Sequence, residues 1–298
     1  DIICKVAEVV VVGGVRRSAL ISLSSLTDER MRDAKHGQWW VSDPQRALSN
    51  NSVAYKEKPV LWDIDMNIPP GVLLAVVGPN GAGKSSMLNV INGFYHPQEG
   101  EVWFNGEKRP SMEPYQIAKT GIARTFQNIA LFKGMTTIEN VMTGRQLKMN
   151  KNFFWQMLRY GPAIDEEVQH RRRCEEIIDF LEINHIRKTP VGSLPYGLQK
   201  RVELVRALAM DPKILLLDEP MAGMGAEESH KIMTLLKGLR SSVTMLLVEH
   251  DMDVVFRLAD KVSVLVYGRV IASDTPQNIR NNQDVQEAYL GGNELNME

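Results

Sequence analysis

Cysteine is scarce in this sequence: Cys4 and Cys174 are the only two in 298 residues. Two distant cysteines supply neither a disulfide framework nor a cysteine-based metal cluster, so we expect the chain to work in a reducing compartment. No apolar run reaches the about 20 residues that a membrane-spanning helix needs, so partner chains would have to do any spanning. A formal net charge of -1 excludes the whole-chain basic field typical of nucleic-acid binding.

The apolar residues of the chain form two kinds of pattern. Uninterrupted short runs are typical of strands buried on both faces of a mainly parallel sheet, and they occur at Val72–Val77, Ile214–Leu217 and Val243–Val248. Between the runs, apolar residues recur at helical spacing, as in Cys174–Leu181 and Ile232–Leu239. Strands that alternate with helices predict an α/β fold. Residues 129–208 show helical patterns and no strong strand, so we expect a helical subdomain inserted into the α/β core.

The segment that follows the first apolar run reads Gly-Pro-Asn-Gly-Ala-Gly-Lys-Ser and opens a helix. Such a loop can turn its backbone N–H groups inward around a polyphosphate, and the start of the helix adds partial positive charge. Lys84 would reach the β- and γ-phosphates of ATP, and the Ser85 hydroxyl would bind Mg²⁺. A glycine-rich turn that happens to contain lysine is the alternative. The nucleotide contacts expected here are Gly78, Asn80, Gly81, Gly83, Lys84, Ser85 and Ser86.

Two adjacent carboxylates end the second apolar run, in Ile-Leu-Leu-Leu-Asp218-Glu219-Pro220. Open α/β sheets bind their ligands at the carboxyl ends of strands. Asp218 would therefore hold Mg²⁺ through water, and Glu219 would polarise the water that attacks the γ-phosphate. The alternative is a helix cap with Pro220 in the first turn.

Three further motifs resemble those of the ATPases of ABC transporters. Gln127, in Arg-Thr-Phe-Gln-Asn, is similar to the Q-loop glutamine; His250, in Val-Glu-His-Asp, is similar to the switch histidine. Leu194–Gln199, Leu-Pro-Tyr-Gly-Leu-Gln, resembles the signature loop. The resemblance implies a P-loop NTPase (RecA-like) core with a small antiparallel β subdomain and an inserted helical subdomain.

The same resemblance implies roles for these residues. Gln127 would sense the permease and join Ser85 and Asp218 at Mg²⁺, while His250 would approach the γ-phosphate. Gly197 and Gln199 would bind the nucleotide of the opposite subunit in a head-to-tail dimer. Tyr55 is similar to the A-loop aromatic that stacks on adenine, although a strand aromatic packed in a sheet explains it nearly as well.

Two positions depart from the family pattern. Pro195 stands where the signature loop usually has serine, so one side-chain contact to the γ-phosphate is missing. Gly225 ends the D-loop, Ala222–Gly225, where the family usually has Asp or Asn. We expect weaker coupling between the two nucleotide sites and retained nucleotide binding.

From about residue 87 to the C-terminus the chain most resembles the ATPases of branched-chain amino acid importers. The stretches that carry this resemblance are Ser86–Tyr95, Gly121–Lys133, Leu194–Leu204 and Asp284–Gly291. It implies a peripheral subunit at the cytoplasmic face of the inner membrane that hydrolyses ATP with Mg²⁺. Its partners would be a second ABC ATPase subunit and transmembrane permease subunits, with indirect coupling to a substrate-binding protein.

The N-terminal part looks like a mosaic. Residues 58–86, with Pro59–Asp65 and Ile68–Leu74, resemble metal-importer ABC ATPases. Residues 1–58 resemble a fragment of adenosylcobalamin-dependent ribonucleotide reductase, on the stretches Val10–Leu20, Asp28–Lys35, Gly37–Trp40 and Asn50–Tyr55. We therefore expect residues 1–46 to be a poorly packed extension, 47–128 and 209–298 the nucleotide-binding core with its antiparallel β subdomain, and 129–208 the helical signalling subdomain.

Two functions from other classes remain open on the sequence. A non-transport ABC ATPase would need a second cassette or a long charged linker, and the sequence contains neither. A folded but transport-inactive chimera that only binds nucleotide is suggested by the N-terminal segment, which replaces the strand that ordinarily leads into Tyr55.

Deleting residues 1–46 tests whether the N-terminal segment belongs to the ATPase. The segment contains none of the motifs for phosphate, magnesium or water, so we expect ATP turnover and thermal melting to be nearly unchanged. The deletion leaves Tyr55 in place. Turnover that falls more than about tenfold, or a large loss of thermal stability, would show that the segment is an integrated part of the fold. Its contacts would then contribute more free energy than the conformational entropy lost on ordering it.

Overall fold

The computed structural model describes residues 60–109, 111–149, 162–240 and 242–290. Eight strands lie in these ranges: β1 Leu73–Val77, β2 Val102–Phe104, β3 Glu107–Arg109, β4 Ile122–Arg124, β5 Ile214–Asp218, β6 Thr244–Val248, β7 Lys261–Val266 and β8 Arg269–Asp274. The α-helices in these ranges are α1 Lys84–Ile91, α2 Pro114–Thr120, α3 Thr137–Thr143, α4 Pro162–Phe180, α5 Tyr196–Leu208, α6 Ala226–Leu239, α7 Met252–Leu258, α8 Pro276–Arg280 and α9 Gln283–Leu290.

Six of the strands form one sheet in the order β4-β5-β6-β1-β7-β8. The first five are parallel, and β8 pairs with β7 antiparallel. Strands β2 and β3 form a separate antiparallel ribbon. The α/β fold predicted from the sequence is confirmed.

Strand β1 lies at the centre of the core, and all five of its residues are buried. Successive side chains of a strand point to opposite faces, so β1 contributes to two apolar layers. Leu73, Ala75 and Val77 pack in one layer, together with α5 and α6, and Leu74 and Val76 pack in the other, together with α1. Helices cover both faces, which explains why the strands read as continuous apolar runs.

In the described part of residues 129–208 the regular elements are helices, joined by turns and loops, and one isolated β-bridge links Thr136 and Pro190. Helix α3 begins with a capping box, in which the Thr136 hydroxyl accepts from the backbone N–H of Glu139 and the Glu139 carboxylate accepts from the backbone N–H of Thr136. Cys174 of α4 is fully buried, as its spacing predicts, and this burial raises the pKa of its thiol to about 11.

Strand ends differ slightly from the sequence prediction. The apolar run at Val72 precedes the first strand residue by one position, and β5 extends to Asp218 because Asp218 still pairs with Val248. Tyr55 and the whole of 1–46 lie outside the described residues. None of the described helices is long and apolar enough to cross a membrane.

Replacing Ile178 with alanine tests the packing of α4. Ile178 is fully buried in the larger apolar layer, so we expect the free energy of unfolding to fall by about 2–5 kcal/mol. Val168 on the same helix is 58% exposed, and Val168→Ala is the matched control. Urea unfolding measures both; equal losses in the two variants would contradict the described packing of α4.

Candidate active site

The glycine-rich loop between β1 and α1 is enclosed by backbone. A Cβ on Gly78 would lie 2.0 Å from the carbonyl oxygen of Leu265, and one on Gly83, which has φ +103°, would lie 2.9 Å from Leu61 Cδ2. The N–H of Gly268 also donates to the carbonyl of Ala82 at 2.9 Å. Only glycine fits at 78 and 83, so the neighbouring backbone fixes the shape of the loop.

Lys84 is the charged group of this loop. Its side chain is buried, and its ammonium donates to the carbonyl oxygens of Gly78 at 2.6 Å and Pro79 at 3.0 Å. Helix α1 begins at Lys84 with no side-chain cap and no acidic residue in its first turn. The uncapped N–H groups and the cation together suit a phosphate.

The polar residues at the mouth of the loop are accessible. Asn80, Gly81 and Ser85 are exposed, and Ser86 is partly buried. Ser85 lies in the first turn of α1, so its hydroxyl can reach a ligand that the loop encloses. All the phosphate-loop residues predicted from the sequence therefore lie in the one segment between β1 and the first turn of α1.

Asp218, at the end of β5, is 4% exposed. Arg124, at the end of the neighbouring strand β4, donates to its Oδ2 at 2.7 Å and to Asn89 Oδ1 of α1 at 2.7 Å. Arg124 thus joins the acidic strand end to the helix that follows the phosphate loop. Sequence analysis missed this residue. The available signal was its place at the end of a strand on the edge of the sheet that carries the other site residues.

Glu219 is the point at which three loops meet. The Gln127 side-chain amide donates to Oε2 at 2.9 Å, and His250 Nε2 lies 2.9 Å from Oε1. These residues follow β4, β5 and β6, whose carboxyl ends share one edge of the sheet. Glu219 itself has φ +46°, a left-handed conformation that costs a non-glycine residue about 1–3 kcal/mol and is concentrated at functional sites.

Glu249 is a third carboxylate of the site, after Asp218 and Glu219, and the sequence patterns do not reveal it. It is 5% exposed, and its two oxygens accept from the backbone N–H groups of Met221 at 3.2 Å and His250 at 3.1 Å. Burial raises the pKa of this carboxyl, and the nearby charges of Glu219 and Asp251 raise it further. Glu249 thereby holds the backbone of Met221, two residues after Glu219, close to the backbone of His250.

The signature loop, Leu194–Gln199, lies at the start of α5. The N-cap of the helix is Pro195, which provides no side-chain cap. Gly197 is buried under the carboxylate of Glu228, whose oxygens are 2.3 and 2.5 Å from the position of a Cβ on Gly197. The Gln199 amide donates to the Leu194 carbonyl at 2.7 Å. These contacts give the loop a fixed shape with uncapped backbone donors.

The oxygen donors of Ser85, Asp218 and Gln127 fit Mg²⁺, which prefers hard oxygen ligands. Among the described residues no group of three or more His, Cys, Asp and Glu side chains could form an all-protein metal cage. Mg²⁺ is usually held by one or two carboxylates together with the phosphates of a substrate. Asp218 supplies the one carboxylate of this donor set, and its Oδ2 accepts a hydrogen bond from Arg124 in this structure.

A parallel sheet with a phosphate loop after β1 and an acidic pair after β5 defines a P-loop nucleoside triphosphatase. The chain belongs to the ATP-binding family of ABC transporters: the model described as ABC transporter matches residues 61–222, more than half of the chain. A second model, described as branched-chain amino acid ATP-binding cassette transporter, matches residues 269–294.

Curated relatives agree with this assignment. The chain is 35% identical over 230 residues to the high-affinity branched-chain amino acid transport ATP-binding protein BraF of Pseudomonas aeruginosa, covering 76% of this chain and 90% of that protein. It is also 35% identical over 234 residues to LivG, the protein with the same description in Escherichia coli K12, covering 77% and 91%.

Solved structures share the fold. A nucleotide-free ATP-binding cassette from an ABC transporter superposes with a TM-score of 0.69 at 31% identity, covering 79% of this chain and 94% of that one. A dimeric cassette bound to ADP and phosphate superposes with a TM-score of 0.61 at 28% identity, covering 73% and 90%.

Replacing Lys84 with alanine removes the buried cation of the phosphate loop. We expect Lys84→Ala to abolish tight Mg-ATP binding in calorimetry, because the β- and γ-phosphates lose their charged partner. Lys231, an exposed residue of α6 paired with Glu227, provides the control Lys231→Ala. Affinity like that of the parent in Lys84→Ala would overturn the assignment of the loop.

Proposed function

We propose that this chain is the ATP-binding and ATP-hydrolysing subunit of an ABC importer that energises branched-chain amino acid uptake through separate permease subunits. The observation that carries the proposal is the meeting of Gln127 and His250 on the Glu219 carboxylate, beside an intact phosphate loop. The relatives named as branched-chain amino acid transport ATP-binding proteins support the class of transported substrate.

The side chains divide the hydrolytic work. Lys84 and the backbone N–H groups of the phosphate loop bind the phosphates, and Glu219 accepts a hydrogen bond from the attacking water and takes up its proton. Gln127 and His250 orient the Glu219 carboxylate through one oxygen each, and His250 approaches the γ-phosphate. When bound, Mg²⁺ supplies charge neutralisation at the β- and γ-phosphates, with Ser85, Gln127 and Asp218 as the residues that hold it.

The proposed active form is a head-to-tail dimer. In it the signature loop of one chain, through Gly197 and Gln199, faces the nucleotide bound to the phosphate loop of the other. The uncapped start of α5 supports this arrangement, because backbone N–H groups at a helix start attract a phosphate. Solved relatives of the family include dimeric cassettes. Tyr55 is proposed to stack on adenine and lies outside the described residues.

The proposed location is the cytoplasmic face of the inner membrane, where transmembrane permease subunits would bind the chain peripherally. A substrate-binding protein would act on it only through those subunits. The named transport relatives support this placement. Residues 129–208 are proposed as the helical signalling subdomain, and 47–128 with 209–298 as the nucleotide-binding core. The support for that division is that the described residues of 129–208 contain helices and no β-strand.

We further propose that the N-terminal part has a mosaic origin, with 1–58 related to a ribonucleotide reductase fragment and 58–86 to metal-importer ATPases. The support is the sequence resemblance of those stretches, together with the start of the ABC transporter match at residue 61. On this proposal residues 1–46 contribute nothing to nucleotide chemistry.

Glu219→Gln tests hydrolysis. The amide keeps the size of the side chain but cannot take up a proton, so we expect ATP binding to persist while turnover falls about 10²–10⁴-fold. Single-turnover hydrolysis measures the loss, and Glu227→Gln, at an exposed glutamate of α6, is the control. A rate within a few-fold of the parent would exclude Glu219 as the base.

Stimulation of parental turnover by the permease subunits tests the transport role.

A further inference from the structure

Three charged residues form a stripe on α5. Lys200, Glu203 and Arg206 follow one another at intervals of three, so they lie along one side of the helix. Lys200 is 4% exposed and Glu203 1% exposed, and Arg206 is partly buried. Charged side chains are almost never buried so completely unless they are paired, so their partners identify what the stripe does.

Those partners are the backbone of the Gln127 loop, residues 125–130. The Lys200 ammonium donates to the carbonyl oxygens of Phe126 at 2.9 Å and Gln127 at 2.8 Å. Glu203 Oε1 accepts from the N–H of Phe126 at 3.3 Å. The Arg206 guanidinium donates to the carbonyl of Ala130. The stripe therefore holds the loop from both sides of Gln127.

The Lys200 ammonium lies closer to the carbonyl oxygens of the loop than to the carboxylate of Glu203. Lys200 Nζ lies 3.7 Å from Glu203 Oε2, farther than from either carbonyl oxygen. Oε2 is itself buried, with no hydrogen-bond partner among the described residues. Burial raises the pKa of Glu203 and lowers that of Arg206. A buried ion pair is weak evidence for stability, since well-packed apolar residues often serve equally well, so these charges call for another explanation.

We propose that Lys200, Glu203 and Arg206 are positioning residues: they hold the backbone on both sides of Gln127 against α5 and so set the position from which the Gln127 side chain reaches Glu219. The Gln127 side chain donates to Glu219 from the same loop whose backbone the stripe holds. Loss of those backbone contacts would therefore leave Gln127 without a fixed position relative to Glu219. The inference rests on the proposed roles of Gln127 and Glu219 in hydrolysis.

The test is the double variant Lys200→Met with Glu203→Gln, which removes both buried charges together and leaves neither of them unpaired. We expect amide exchange in the peptide containing 125–130 to accelerate by about tenfold or more, because the loop loses both hydrogen bonds from the Lys200 ammonium. We expect kcat for ATP to fall by about tenfold or more while the Kd for ATP measured without Mg²⁺ stays within about threefold, since the phosphate loop is untouched.

The matched control is Lys231→Met with Glu227→Gln, which removes an exposed ion pair from α6 and should change neither quantity. Lys200→Arg, which keeps a donor in place, should retain most of the parental protection and turnover. Unchanged exchange in 125–130, or acceleration spread equally over the sheet peptides, would overturn the proposal. If the parent itself hydrolyses no ATP, the proposed function fails, and the exchange measurement still decides whether the stripe holds the loop.

Discussion

The parallel pairing of β5 with β6 is the constraint on which the site depends. Asp218 pairs with Val248, and the next N–H, that of Glu219, donates to the carbonyl of Val248 at 2.9 Å. This register sets the loops after the two strands side by side, and β4 adds the Gln127 loop on the other side. Hydrogen bonds of the sheet thus bring Gln127, Glu219 and His250 within reach, although they are far apart in the chain.

The same pairing supports a strained residue. Glu219 has φ +46°, and a conformation of that kind persists only where its surroundings over-determine it. Here its N–H completes the ladder to β6, its carboxylate takes hydrogen bonds from two loops, and Glu249 fixes Met221 two residues later. We infer that the left-handed conformation turns the Glu219 carboxylate toward Gln127 and His250. A straight continuation of β5 would direct the side chain elsewhere.

Local patterns could be predicted from the sequence, and contacts between distant segments could not. The phosphate loop could be predicted because its glycines, Lys84 and Ser85 are contiguous. Strands β1, β5 and β6 could be predicted because buried strands are apolar throughout. Arg124 was missed because β4 has only three residues and its partner Asp218 belongs to another strand. Lys200 and Glu203 were missed because charges on an amphipathic helix ordinarily predict a solvated face. The Gln127 loop, which covers them, is distant in sequence and is brought over the helix only by the tertiary fold.

The signature loop and the D-loop are in contact within one chain, although the side chains at positions 195 and 225 do not make this contact. Neither Pro195 nor Gly225 offers the side chain that the family usually has there. The loop nevertheless packs on the segment that contains Gly225: the Tyr196 ring lies 3.2 Å from the Cβ position of Gly223, and the Glu228 carboxylate covers Gly197. At Gly223 the backbone also has φ +75°, a conformation that favours glycine, so the residue that the Tyr196 ring covers is constrained by its own backbone. The signature loop and D-loop of one chain are therefore in direct contact through Tyr196 and Gly223, and this contact depends on neither Pro195 nor Gly225.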